Sequence, residues 1–362
     1  RGSSSPSSLL SSSKTSPATH AMSACWSRRS SKAWAKSTIT GTPNRPLMRS
    51  LNAKPTAPRA PSVTTAAIGQ IRSDPPERFC WDQGQKLSSQ IAEAVQAFSS
   101  SAASAERWEI YWAAGIGTLS SPPEALAPET NAFSNLLRLI ESDRRLSGMP
   151  GSVTLASSAG AIYAGSPDEI ITEKTPPTPA SPYAHEKLRQ EELLNSFAMA
   201  HQGISAFIAR ISTLYGSGQS TGKPQGLLTQ IARSMVRHKS IEIYVPYDTI
   251  RDYIAADDAA AAIVETLRST RTRPHVLIKI IASEKPTTIA EVVSIFKRLT
   301  RTAPRIVTST SRLSGYYSRR VQFRSTVFPE KPLTPRRSLY VGVAELMAAE
   351  RIAFARNTED RK

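Results

Sequence analysis

Apolar residues fall into two rhythms from Phe79 onward and into none before it. Leu87, Ile91, Val95 and Phe98 recur at i, i+4, i+8 and i+11, which is one face of an α-helix. Residues 108–114 are a short apolar run ending in Gly115-Ile116-Gly117, the mark of a buried strand entering a loop. Phe133, Leu136, Leu137 and Ile140 return to the helical period. Residues 153–156 read as a second strand that ends in Ser157-Ser158. A helix is predicted over 182–200, with Pro182 at the first position, where its missing N–H does no harm. A strand follows at 204–208, then a glycine-containing loop at 210–219. Leu227, Leu228, Ile231 and Met235 mark a further helix. Helices and strands that alternate in this way predict an α/β fold with a mainly parallel sheet covered on both faces. Ligands of such sheets sit at the carboxyl ends of the strands. Ser157-Ser158, Ala113-Ala114-Gly115 and the loop at Arg210 are therefore predicted to share one cleft.

Residues 1–76 carry no sustained period. Runs of serine and the prolines Pro55, Pro58, Pro61, Pro75 and Pro76 break any regular element there. Three readings fit this segment: a disordered tail, an Arg- and Ser-rich targeting peptide, or a stretch translated out of frame. The predicted organisation is thus a basic low-complexity segment at 1–76, a folded core at 77–350 and a tail at 351–362. A length of 362 residues suits two domains, or one large α/β domain with a smaller lobe.

Charge changes this picture little. The formal net charge is +17, but residues 1–73 hold eleven Lys/Arg and no Asp or Glu. The remaining 289 residues carry 35 Lys/Arg against 29 Asp/Glu. The excess lies in the Ser/Pro-rich segment and not on a folded basic face, so nucleic-acid binding is not predicted. No run of 18 apolar residues offers a membrane helix. Cys25 and Cys80 make no disulfide framework, and the five histidines show no metal-ligand spacing. A reducing, cytoplasmic setting is the expectation, with no membrane partner and no metal.

The chemistry centres on Ser181-Pro182-Tyr183-Ala184-His185-Glu186-Lys187. Tyr183 and Lys187, four apart on a helix, project from one face. An ammonium beside a phenol favours the phenolate and lowers its pKa from about 10. A phenol so tuned can give or take a proton near neutral pH. A serine hydroxyl from Ser157-Ser158 could hold a substrate oxygen in line. The pair alone is also what an ordinary amphipathic helix supplies by composition. Asp257-Asp258 sit side by side on a predicted helix and point apart, so they read as charge at a helix N-terminus.

Five ordered blocks extend the pair. They are residues 108–115, residues 155–165 with the Ser pair, Pro182-Tyr183-Ala184-His185-Glu186-Lys187, Arg210–Gln219 with Tyr215-Gly216, and Arg251-Asp252-Tyr253 followed by Asp258. In these blocks the chain resembles the NAD-dependent epimerase/dehydratase family, the extended short-chain dehydrogenase/reductases, over roughly residues 79–350. The resemblance implies a Rossmann-type doubly wound sheet with a small C-terminal substrate lobe. It implies NAD or NADP as cofactor, a nucleotide-sugar substrate and a homodimer formed through the helix of Tyr183 and the helix before it. By that likeness Tyr183 would be the proton-transfer residue and Lys187 its tuning cation, holding the nicotinamide ribose, with Ser158 as the hydroxyl. Ala113, Ala114, Gly115 and Ser157 would line the cofactor. Thr213 and Arg251 would meet the substrate diphosphate, for which a planar guanidinium suits.

The chain departs from the family pattern at three places. No G-x-x-G-x-x-G turn occurs in residues 1–80, so the first strands of the sheet are expected to be missing. Ala159 stands where the family has its catalytic hydroxyl, with Ser158 one residue early. Thr213 stands where the family has Asn. The alternative is a relative without a competent cofactor site, serving as a binding or scaffold protein or arising from a damaged reading frame.

Overall fold

The computed structural model describes residues 19–24, 70–73, 79–219, 226–269, 274–309, 319–328 and 336–359. In chain order its strands are β1 (Thr19–Ala24), β2 (Gln70–Ser73), β3 (Arg107–Trp112), β4 (Gly151–Ser158), β5 (Ile204–Ile211), β6 (Thr213–Tyr215), β7 (Ile241–Ile243), β8 (Ile250–Ala255), β9 (Val276–Ile281), β10 (Pro286–Thr288) and β11 (Ile306–Thr308). The longer helices are α1 (Gly84–Ser101), α2 (Pro123–Ser142), α3 (Pro182–Ala200), α4 (Leu227–Val236), α5 (Ala256–Ser269), α6 (Ile289–Thr300) and α7 (Leu339–Glu359).

Six strands form one sheet in the order β2-β1-β3-β4-β5-β9, and every pair in it is parallel. The chain leaves β1 toward β2 on one side and toward β3, β4, β5 and β9 on the other. That reversal is the topological switch of a Rossmann-type sheet. β3 alternates strictly, with Trp108, Ile110 and Trp112 buried. These three pack with Leu87, Ile91 and Phe98 of α1, Phe133, Leu136 and Ile140 of α2, and Leu194 and Phe197 of α3. On the opposite face Phe207, Ala209 and Ile211 of β5 pack against Ala259, Ile263 and Leu267 of α5. β5 is covered on both sides, which is why its sequence reads as a near-continuous apolar run.

A three-stranded sheet, β10-β8-β6, and a two-stranded one, β11-β7, make the smaller lobe. Its core joins Leu228 and Ile231 of α4, Tyr253 of β8, Val292 and Phe296 of α6 and Leu346 of α7.

Three expectations are corrected. Residues 19–24 and 70–73 lie within the segment predicted to stay outside the fold, yet they are strands of the main sheet. β1 pairs with β3 along its whole length, from Thr19↔Arg107 to Ala24↔Trp112, so the first strands are not missing. Backbone pairing rather than side-chain pattern carries this contact, because the N–H and C=O groups along that edge of β3 need partners whatever the neighbouring sequence. The other residues of 1–76, apart from these strands, lie outside the described residues. Second, Arg210 and Ile211 belong to β5, and residues 213–215 form β6, so half of the predicted loop at 210–219 is strand. Third, α7 runs through 351–359, inside the predicted tail.

Candidate active site

α3 begins where its sequence says it should. Ser181 caps it by accepting the Ala184 N–H at 3.3 Å, and Pro182 occupies the first turn. The cap fixes the start of the helix, and the start fixes which face Tyr183 and Lys187 share. The Lys187 ammonium lies 5.6 Å from the centre of the Tyr183 ring. At the carboxyl end of β4, Ser158 lies close enough to the Tyr183 phenol to favour its ionised form. Phenol, ammonium and hydroxyl therefore converge at the edge of the sheet where the topology puts ligands.

The serine pair divides its work by strand alternation. Ser157 is buried and donates to Glu191 at 2.5 Å, within a closed network where Arg210 grips Glu191 at 2.6 Å and Tyr163 at 2.5 Å. Ser158 lies on the other side of the strand with Tyr183. It stands at the start of a four-residue helix, Ala159–Ile162, without capping it, so its hydroxyl is not consumed there. Ala159 is fully buried.

The electrostatics differ from the simple expectation. Burial is the dominant influence on Tyr183 and pushes the phenol above its ordinary value. Lys187 pulls it down, the Glu129 carboxylate pushes it up, and Ser158 pulls it down. The expected lowering by Lys187 is thus outweighed by burial. Lys187 itself is buried, 3.7 Å from Glu129 and donating to Gln190 at 3.1 Å.

Glu129 is the residue that reading for motifs misses. Its carboxylate accepts the backbone N–H groups of Ile116 and Gly117 and ion-pairs with Lys187. Gly115 has φ +149°, and a Cβ there would overlap that carboxylate. The signal was present in the sequence. Glu129 lies at i−4 from Phe133 and i−7 from Leu136, on the stripe that α2 buries. An acid on an apolar stripe demands partners.

Ala113, Ala114 and Gly115 follow β3 directly and lead into this turn. Thr213 and Arg251 are brought together by the smaller sheet. Thr213 pairs with Tyr253, two residues along β8 from Arg251, and alternation puts positions 251 and 253 on one face. Arg251 is part-buried and donates to the Ile250 carbonyl at 2.7 Å. Asp257 and Asp258 occupy the first turn of α5 and pair with Arg337. Among the described residues no cluster of side chains could hold a metal, and no helix is long and apolar enough to cross a membrane.

Residues 112–278 match the NAD dependent epimerase/dehydratase family. Among curated proteins, the dTDP-L-rhamnose 4-epimerase of Burkholderia thailandensis is 35% identical over 96 residues, 26% of this chain and 26% of that protein. The UDP-glucose 4-epimerase of Mycolicibacterium smegmatis is 30% identical over 128 residues, 35% of this chain and 40% of the relative. The matched segments thus span well under half the length of these relatives. Among solved structures, MoeE5 in complex with UDP-glucose and NAD superposes with a TM-score of 0.63 at 21% identity, covering 79% of this chain and 91% of its own. The Thermus thermophilus UDP-glucose 4-epimerase in complex with NAD gives 0.59 at 19% identity, over 79% and 86%. The structures share the fold, and the segment that matches the NAD dependent epimerase/dehydratase family, residues 112–278, contains the Tyr183 site.

Proposed function

We propose that the protein is an NAD(P)-dependent epimerase or dehydratase acting on a sugar nucleotide. The observation that carries the proposal is the convergence of Tyr183, Lys187 and Ser158 at the carboxyl edge of a Rossmann-type sheet. Bound NAD(P) supplies the hydride acceptor and donor. Tyr183, as the phenolate, takes the proton that a sugar hydroxyl loses when its carbon is oxidised, and returns it on reduction. Lys187 stabilises that phenolate and offers its ammonium to the nicotinamide ribose. Ser158 holds the substrate oxygen in line. Thr213 and Arg251, on one small sheet, serve the diphosphate. Ala113, Ala114 and Gly115 border the cofactor, while Ser157 acts through Glu191 and Arg210.

The nicotinamide end of the site fits such a cofactor, since it presents the phenol, ammonium and hydroxyl that a ribose and a reacting carbinol require. The G-x-x-G-x-x-G turn that would hold the cofactor pyrophosphate does not occur in residues 1–80. That second observation favours a non-catalytic relative. Calorimetric titration of NAD and NADP against the purified chain separates the two readings. Micromolar binding, with conversion of UDP-glucose or UDP-glucuronic acid to a new product, supports the enzyme. Absence of binding at millimolar nucleotide removes it.

A further inference from the structure

Glu129 sits where three pieces of the site meet, and its side chain is only 3% exposed. A carboxylate so far from water is costly unless charge and N–H donors replace its hydration. Three groups do so here: the Lys187 ammonium at 3.7 Å, and the N–H groups of Ile116 and Gly117. Lys187 comes from α3, the two N–H groups from the turn after β3, and Glu129 itself from α2. The same corner is braced from behind. Lys187 donates to Gln190 at 3.1 Å, Gln190 donates to Thr130 at 3.2 Å, and Thr130 donates to Glu186 at 2.6 Å. The turn is shaped to the carboxylate, because a side chain at Gly115 would overlap it and one at Gly117 would overlap Leu126.

We propose that Glu129 is a positioning residue for the Tyr183 site, its buried carboxylate tying Lys187 and the 115–117 turn into one corner and holding the ammonium back from the phenol. This role rests on the reading of Tyr183 and Lys187 given above. Three groups act on Tyr183: Lys187 from its own helix, Glu129 from α2 and Ser158 from β4. Glu129 is the one whose negative charge opposes ionisation of the phenol. Removing that charge while keeping the shape leaves Lys187 free to act on Tyr183.

Ultraviolet titration of tyrosinate in the purified full chain, with no nucleotide added, reads this directly. The Tyr183 signal is the difference between each protein and its Tyr183→Phe counterpart. In Glu129→Gln the Tyr183 midpoint is expected to fall by about one pH unit, a tenfold loss of proton affinity. Glu129→Asp keeps the charge and is expected to keep the wild-type midpoint. An unchanged midpoint in Glu129→Gln, or an equal fall in Glu129→Asp, overturns the proposal. Should Glu129→Gln fail to fold, amide hydrogen exchange in the wild-type chain decides. The Ile116 and Gly117 amides are expected to exchange at least about tenfold more slowly than an open turn of this sequence; open-turn rates overturn the proposal. Neither measurement involves cofactor or substrate, so its failure is distinct from failure of the proposed reaction.

Discussion

Ser157 and Ser158 are adjacent, chemically identical and set to different tasks by the two-residue period of a strand. Ser157 serves the Glu191–Arg210 network, and Ser158 serves Tyr183. Ser158→Ala is expected to lower kcat by about 10²-fold, the usual cost of one donor at a reacting oxygen. Ser157→Ala is expected to leave kcat near wild type while costing about 1 kcal/mol of stability in a denaturant melt. Adding Ala159→Ser to Ser158→Ala is expected to restore nothing, because position 159 is fully buried beyond the strand end. The Tyr183–Lys187 spacing and the Ser pair were legible because each is a local pattern. Which serine faces the phenol was not, since that depends on the exact strand end. Glu129 was legible only as an anomaly on an apolar stripe; its partners come from segments 12 or 13 and 58 residues away in sequence.

At the scale of elements, the helices α1, α2, α3 and α4 were readable from apolar period and proline placement, and their bounds follow those signals. β5 was read too short. Arg210 resembled the start of a loop, yet it pairs in register with Ser157 on β4 and Ile280 on β9, in the middle of the sheet. A buried arginine can be told from a loop arginine only by its partner, and Glu191 lies on another element. Removing one member of such a pair leaves an uncompensated charge, so Arg210→Ala is expected to cost about 3–5 kcal/mol in urea unfolding. Replacing both members by apolar residues of similar volume, as in Arg210→Met with Glu191→Leu, is expected to recover most of that loss. β1 and β2 were illegible because their side chains carry no alternation and parallel pairing is made by the backbone.

For the whole molecule, alternating periods implied the parallel sheet, while the smaller lobe came from resemblance and could not be read from its short strands. That lobe carries an alkaline weakness. Burial pushes Tyr215 and Tyr253 up to about 12. Between pH 10 and 12 the unfolded chain loses these protons and the folded chain keeps them, so the folded state binds more protons and stability falls as pH rises. Each group is expected to remove about 2 kcal/mol by pH 12, seen as a Tm that drops across that window. Tyr253→Phe is expected to flatten the fall. The account as a whole depends on Tyr183 moving the proton. Turnover of a sugar nucleotide by Tyr183→Phe, measured beside its NAD affinity, tests this most directly. A loss of about 10²–10⁴-fold in kcat with NAD binding kept is the expected result; wild-type turnover by Tyr183→Phe would contradict it.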